Sequence, residues 1–266
     1  MSAVIKLSCR ATRQFYEIPV LFEDEHLLAL DKPANLLTSP DPDDPQRPSL
    51  MRLLHDGIAQ GKPWAKARGL TYLMNTCGLD FEATGVILLA RSKAVFMALA
   101  DLFGSEKPET VYVALVQGKP REARFAVDAR LAPYHAKPGL MRVDPKQGKR
   151  SRTLFDVSEV FSGYTLLRCR PLTGRMHQIR VHLRHVRLPV VGDTLYGGAP
   201  LLLSQLKRAY RLKAGKTERP LIPRAALHAE KLELTHPVTG QPVIITAPWP
   251  KDLRVAVKYL RQFVAA

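Results

Sequence analysis

The order of segments along this chain predicts an α+β protein organised around a largely antiparallel sheet. Three observations lead there: β-branched and aromatic runs outnumber helical patterns, most of them follow one another with only a turn between, and the helical patterns are few and amphipathic. At 266 residues and 46% hydrophobic content, the chain can bury one large core or two moderate ones without disulfide or metal staples.

Residues 1–17 hold no apolar core of signal-peptide length and are expected to be a flexible tail. Ile18 to Pro33 carries two apolar runs on either side of Glu23-Asp24-Glu25, which predicts a β-hairpin. Ser39 to Pro48 is rich in Pro and Asp and must be an irregular surface loop. Ser49 then caps a helix whose apolar positions are Leu50, Leu53, Leu54 and Ile58. In the stretch Thr71 to Arg91, Asp80 opens a polar turn, Phe81 to Gly85, and the apolar run Val86 to Ala90 follows as a buried strand. Taken alone, such an aspartate makes an Asx-turn before a strand.

Lys93 to Phe103 has helical spacing and ends at Gly104, and Thr110 to Gly118 has strand composition. A further strand, Ala123 to Leu131, precedes a Pro- and Gly-rich loop. That loop carries Lys137, Arg142, Lys146, Lys149 and Arg150 around Tyr134 and His135, which suits either a nucleic-acid backbone or a solvated basic surface. After strands at Arg152 to Val160 and Tyr164 to Arg170, a turn at Gly174 leads into a helix. On it Ile179, Leu183 and Val186 share one face and His177, Arg180 and Arg184 another, so one side should pack and the other present cations. Leu201 to Lys216 reads as an amphipathic helix with a basic face of Lys207, Arg208, Arg211 and Lys213. His228 to Leu234 and Val243 to Thr246 are strands joined by a turn, and a helix, Leu253 to Phe263, closes the chain. Without repeats or low-complexity linkers, residues 18–266 read as a single domain.

Forty Lys and Arg against 24 Asp and Glu give a formal charge of +16, which favours a polyanionic partner, nucleic acid before an anionic membrane. No apolar run approaches the ~18 residues of a membrane span, and no helix carries Trp or Phe anchors on an apolar face. The scattered cysteines, Cys9, Cys77 and Cys169, argue against disulfides and thiolate metal sites and suit a reduced cytoplasm. His177, His182 and His185 lack the i, i+4 spacing of a helical zinc site.

Five blocks carry a resemblance: LFEDEHLLALDKPANLL, GLDFEATGVILLAR, ETVYVALVQG, TGRMHQIRVHLRHVRLPVVGDTLYGG and LHAEKLELTHPVTGQPVIITAPWP. In this order, from about Ile18 to about Leu253, they resemble the RluA family of pseudouridine synthases, isomerases of uridine in ribosomal and transfer RNA. The resemblance implies the pseudouridine synthase fold, a central, mostly antiparallel sheet with flanking helices and an RNA-binding cleft, and RNA as partner; a compact stem-loop is expected because target selection would rest on the catalytic domain and its basic loops. It also implies that Asp80 is the catalytic aspartate, that Tyr112 is the pocket tyrosine, and that Arg180 pairs with Asp80 and favours its ionised form. Arg175, His177, Gln178, Thr84 and Gly85 fall at substrate-binding positions, with Arg175 holding either a phosphate or the loop. No metal, nucleotide or redox cofactor and no obligate protein partner is implied. The residues before Ile18 are too few for the small N-terminal RNA-binding domain of many relatives.

The chemistry agrees with these residue types. Isomerisation breaks the C1′–N1 bond, rotates the uracil and rejoins it through C5, so a carboxylate must act at the sugar, by attack on C1′ or by removing the 2′ proton. Tyr112 would stack on the flipped base and assist loss of the C5 proton. The sequence departs from the family where His-Arg-Leu-Asp is usual: Cys77-Gly78-Leu79-Asp80 lacks the arginine that helps hold the flipped nucleotide, and Ala83 replaces a usual threonine. A non-catalytic RNA-binding protein on the same fold is the alternative reading. Retention of Asp80, a carboxylate repelled by phosphate, speaks for the enzyme.

Overall fold

The computed structural model describes residues 3–9, 11–105, 108–207, 209–212 and 215–265. In chain order the elements are β1 (Val4–Cys9), β2 (Gln14–Glu23), β3 (Leu27–Lys32), α1 (Leu50–Ala59), α2 (Pro63–Lys66), β4 (Met74–Asn75), β5 (Thr84–Ala90), α3 (Lys93–Gly104) and β6 (Glu109–Gln117). They continue with β7 (Arg124–Asp128), β8 (Leu131–Pro133), β9 (Met141–Val143), β10 (Arg152–Phe161), β11 (Tyr164–Pro171), α4 (Gln178–His185), a 3-10 turn (Thr194–Tyr196), α5 (Leu203–Leu206), β12 (Leu227–Thr235), β13 (Pro242–Thr246) and α6 (Lys251–Phe263). Two compact units result, Met1–Thr110 with Ala229–Pro248, and Val111–His228 with Trp249–Ala266, where the sequence suggested one domain.

In the first unit the strands run in the order β1-β2-β3-β5-β12, with β4 on β5 and β13 on β12. Pairing from β1 through β5 is antiparallel, as the succession of short strands predicts. Why β5 is a continuous apolar run is plain from its neighbours. Ile87 and Leu89, with Leu28 and Leu30 of β3, pack against Leu50 and Leu54 of α1 on one face. Val86 and Leu88, with Leu27 and Ala29, meet Val95 and Leu99 of α3 and Ile245 of β13 on the other. A strand buried on both sides loses the alternation of a half-solvated one. The cap expected at Ser49 forms, its Oγ accepting from the Arg52 amide at 3.4 Å.

In the second unit the order is β6-β11-β10-β7, again antiparallel, with β8 and β9 forming a separate short hairpin. The fold class is therefore the α+β one expected, but several elements differ. Residues expected as a flexible tail form β1 and the start of β2, in register from Val4 opposite Pro19 to Cys9 opposite Gln14. Ile5 and Leu7 alternate inward with period two, a pattern too short to stand out without a glycine turn, and Arg13 takes the positive φ of 53° instead. The strand expected over Ala123 to Leu131 is split at Ala129-Arg130 into β7 and β8. The long helix expected from Leu201 shrinks to Leu203–Leu206, because Lys207 turns extended (φ −107°, ψ 101°). Of its basic face, Arg208 and Lys213 lie outside the described residues. No described helix is long and apolar enough to cross a membrane.

Asp31 is half-buried on β3, and burial raises its carboxyl from 3.8 to about 6. The folded state thus binds this proton more tightly than the unfolded one, so the associated stability is present below pH 4 and is lost as pH rises through about 6. Asp31→Asn should stabilise the protein at pH 8 by about 1–2 kcal/mol, after discounting the shift for residual solvent screening. Its melting temperature should converge on that of the parent near pH 4, as read by thermal unfolding across pH.

Candidate active site

Within the first unit, Asp80 stands in a turn fixed from below. Lys32 is fully buried, and its ammonium donates to the carbonyls of Pro33 (2.9 Å) and Leu36 (2.7 Å). The next residues are held by the start of α1, where the amides of Leu50 and Met51 donate to the carbonyls of Leu37 (2.7 Å) and Thr38 (3.0 Å). Thr38 is thereby pinned, and its hydroxyl clamps Leu79 at both ends, donating to the carbonyl at 2.8 Å and accepting from the amide at 3.0 Å. Beyond Leu79, the Asp80 carbonyl accepts from the Ala83 amide (3.1 Å), and the Asn35 amide donates to the Phe81 carbonyl (2.8 Å). The Arg47 guanidinium lies 4.4 Å from the Phe81 ring centroid. Half-buried Asp80 is thus carried on a backbone tied down on each side.

Thr84 and Gly85 begin β5. Thr84 is buried, and Gly85, at φ 112°, has no room for a side chain because a Cβ would lie 2.1 Å from the Ala229 carbonyl oxygen. Packing of β5 against β12 therefore accounts for this glycine. Gly78 is different: its backbone φ suits any residue, and a Cβ there would meet nothing nearer than Thr38 Cβ at 3.5 Å. Its small size is not imposed by the fold.

The other expected residues belong to the second unit. Tyr112 is half-buried on β6, opposite Cys169 of β11. Arg180, expected on a solvent-facing cationic side of α4, is 3% exposed. Its Nε and Nη2 donate to the two carboxylate oxygens of fully buried Asp193 at 2.7 and 2.8 Å, a bidentate pair, and its guanidinium lies 5.0 Å from the Tyr196 ring. Burial of the whole segment Gln178 to Leu183 overrides the two-faced pattern. Beside Asp193, Gly192 at φ 75° passes so close to the Arg224 carbonyl that a Cβ would lie 2.2 Å from its oxygen.

His177 adopts a left-handed conformation (φ 54°) before α4, with Nδ1 2.8 Å from the hydroxyl of Tyr196, which also accepts from the Met141 amide at 2.9 Å. Gln178, expected at the substrate, is a brace. Its Oε1 accepts from the Thr173 hydroxyl (2.8 Å) and the Arg175 amide (3.2 Å), and its Nε2 donates to the Arg152 carbonyl (3.0 Å) and the Thr153 hydroxyl (2.9 Å). Those four bonds fill the side chain's capacity. Arg175 itself is exposed, with Nε donating to the Arg150 carbonyl at 3.3 Å. His182 is buried between Thr153, Ser151 and the Ala129 carbonyl, and loss of hydration holds its pKa below the ordinary imidazole value. No group of three His, Cys, Asp or Glu among the described residues would hold a metal.

Thr38, Lys32, Asp193 and Tyr196 were not singled out by sequence reasoning as site residues. Lys32 and Asp193 do sit within two of the matched blocks, DKPANLL and VVGDTLYGG, where a charged residue among apolar ones was the available signal.

Residues 26–185, more than half of the chain, match the sequence model of the RNA pseudouridylate synthase family. The chain belongs to that family. Its members are isomerases, and the RluA-type assignment made from the motifs holds. Ribosomal large subunit pseudouridine synthase D of Xanthomonas campestris is 33% identical over 268 residues, spanning 98% of this chain and 75% of that protein. The protein of the same name from Xylella fastidiosa is 34% identical over 258 residues, spanning 95% and 72%. Among solved structures, human RNA pseudouridylate synthase domain containing 4 shares the fold, with a TM-score of 0.69 over 91% of this chain and 92% of that one, at 22% identity.

Removing one partner of the buried pair should be far worse than removing both. Asp193→Ala takes the bidentate acceptor away from a buried guanidinium and is expected to cost about 3–5 kcal/mol in denaturant unfolding, whereas Arg180→Met with Asp193→Leu should recover most of that loss.

Proposed function

We propose that this chain isomerises a uridine of ribosomal RNA to pseudouridine, with Asp80 acting at the sugar. The observation that carries the reading is the identity of 33–34% over nearly the whole chain to two ribosomal large subunit pseudouridine synthases. Asp80 attacks C1′ or removes the 2′ proton. Either role requires a carboxylate held at a fixed place rather than on a mobile loop, and the Thr38 clamp on Leu79 supports this. Arg180, its guanidinium plane held by Asp193, favours the ionised form of the catalytic aspartate, and Tyr112 stacks on the flipped uracil and assists loss of the C5 proton.

Arg175, exposed beside a basic loop, binds a phosphate, and His177 orders the turn between them through Tyr196. The +16 charge favours contact with flanking phosphates, which offsets the few kcal/mol that unstacking the target costs. Cytoplasmic action fits three cysteines that are all free thiols. The reaction as written uses only protein groups and RNA.

Two measurements test this reading. Pseudouridine mapping of RNA from cells lacking the gene, complemented with either parent or Asp80→Ala, should show one ribosomal site restored by the parent alone. If Asp80→Ala restores it equally, Asp80 is not the catalytic group, and if no site changes, the binding-protein reading takes over. Gly78→Arg should fold normally, since the position is open, and should supply the bidentate donor that the family's arginine provides. A charged hydrogen bond of about 1.5–3 kcal/mol corresponds to a gain of roughly tenfold or more in kcat/KM on the mapped RNA.

A further inference from the structure

A cavity of about 260 Å³ opens in the first unit between the N-terminal hairpin and the α1–α2 corner. One wall is Lys6 and Cys9 of β1, which precede the segment matched by the family model, so this chain builds the wall from residues outside the match. The opposite wall is Arg52 and Asp56 of α1, with Lys62 and Trp64 at the corner. Three cations thus face one carboxylate. Their ion pairs are local and weak: Lys6 with Glu17 at 3.3 Å, both more than half exposed, and Arg52 with Asp56 at 3.9 Å. An incoming anion can exchange with them.

Trp64 is seated by an absence. Gly57, buried inside α1, is an unfavourable residue for a helix interior, and a Cβ there would lie 2.3 Å from Cζ2 of the indole. The ring therefore rests against bare helix backbone, packed on one side against the core and lining the cavity with the rest. A rigid aromatic surface ringed by exchangeable cations suits an unpaired nucleotide, whose base stacks while its phosphate takes the charges. The volume admits one base and excludes a duplex.

We propose that this cavity is an accessory site for a single-stranded nucleotide of the RNA substrate, with the base on Trp64 and the phosphate on Lys62 and Arg52. That the ligand is RNA rests on the function proposed above. The site itself rests on the cavity and its lining.

Cys9 supplies a reporter inside the cavity, half-buried and with its thiol drawn below the ordinary value, first by the Thr12 hydroxyl. Iodoacetamide labelling of the full chain, resolved by peptide mass spectrometry, should show Cys9 slowed at least fivefold by a short oligouridylate and unaffected by a blunt RNA duplex of equal length. Arg52→Gln with Lys62→Gln, checked for an unchanged melting transition, should weaken oligouridylate binding at least fivefold. The same variant should lower the slope of log affinity against log salt by about 0.7, the contribution of the one phosphate the two cations share on a single strand. An unchanged labelling rate at saturating oligouridylate, equal protection by the duplex, or an unaltered salt slope overturns the proposal. The two readings separate cleanly: Cys9 protection without pseudouridine formation supports this site and sinks the reaction, while pseudouridine formation with Cys9 unprotected does the reverse.

Discussion

An ammonium group taken wholly out of water must be surrounded by acceptors, and Lys32 is fully buried. The constraint this places on the chain reaches far past the lysine. Two carbonyls, of Pro33 and Leu36, turn inward toward it, which curls the segment after β3 and sets Leu37 and Thr38 against the first amides of α1. Those amides have no partner within their own helix, so the curl and the helix start satisfy each other. Thr38 is the end of this sequence of requirements, and through its hydroxyl the backbone of Leu79, next to Asp80, acquires its position. A carboxylate on a turn between two strands would otherwise sample many orientations.

The second unit fixes its own candidate groups by a comparable device of opposite sign. There the buried charge is Asp193, and Arg180 satisfies it in two parallel bonds, with Tyr196 beside the guanidinium and bonded onward to His177. Such a pair contributes little net stability once desolvation is counted, but it leaves few arrangements open. Gln178 works in the same spirit, with each of its polar positions committed to the strands and loop before α4. Several residues that look from their type like ligands for RNA are thus holding other residues still.

Much of this could be read from the sequence, and the misses share a cause. β5 is legible because burial on both faces leaves Val86 to Ala90 as a run with no polar residue, and α1 is legible because Ser49 precedes a helical pattern. Motif order alone singles out Asp80, Tyr112 and Arg180 as the set proposed for the reaction. What composition could not disclose is which polar residues are buried. Arg180 and Gln178 occupy the expected helix, yet whether they meet solvent depends on Asp193, Thr153 and Arg152, which are distant enough in the chain to leave no periodic trace. β1 was missed for the converse reason, since Ile5 and Leu7 are too few to announce a strand until paired with Ile18 and Tyr16. The helix expected after Leu201 shows the limit of spacing arguments, because periodicity survived there while the backbone turned extended at Lys207.

The division of the chain carries a consequence for how the molecule is made. The first unit consists of residues up to Thr110 and then Ala229–Pro248, so more than a hundred residues of other structure are synthesised before its sheet can be completed. Until β12 and β13 emerge, the face formed by Val86, Leu88 and Ala29 lacks Leu232, Leu234 and Ile245. A nascent chain paused on the ribosome therefore displays an adhesive apolar surface and an unclosed strand edge at β5, the kind of intermediate that chaperones capture. Long-range closure of this sort is slow. Even a late frameshift or stop codon that spares Asp80, Tyr112 and Arg180 alike would thus be felt in the part of the protein translated first.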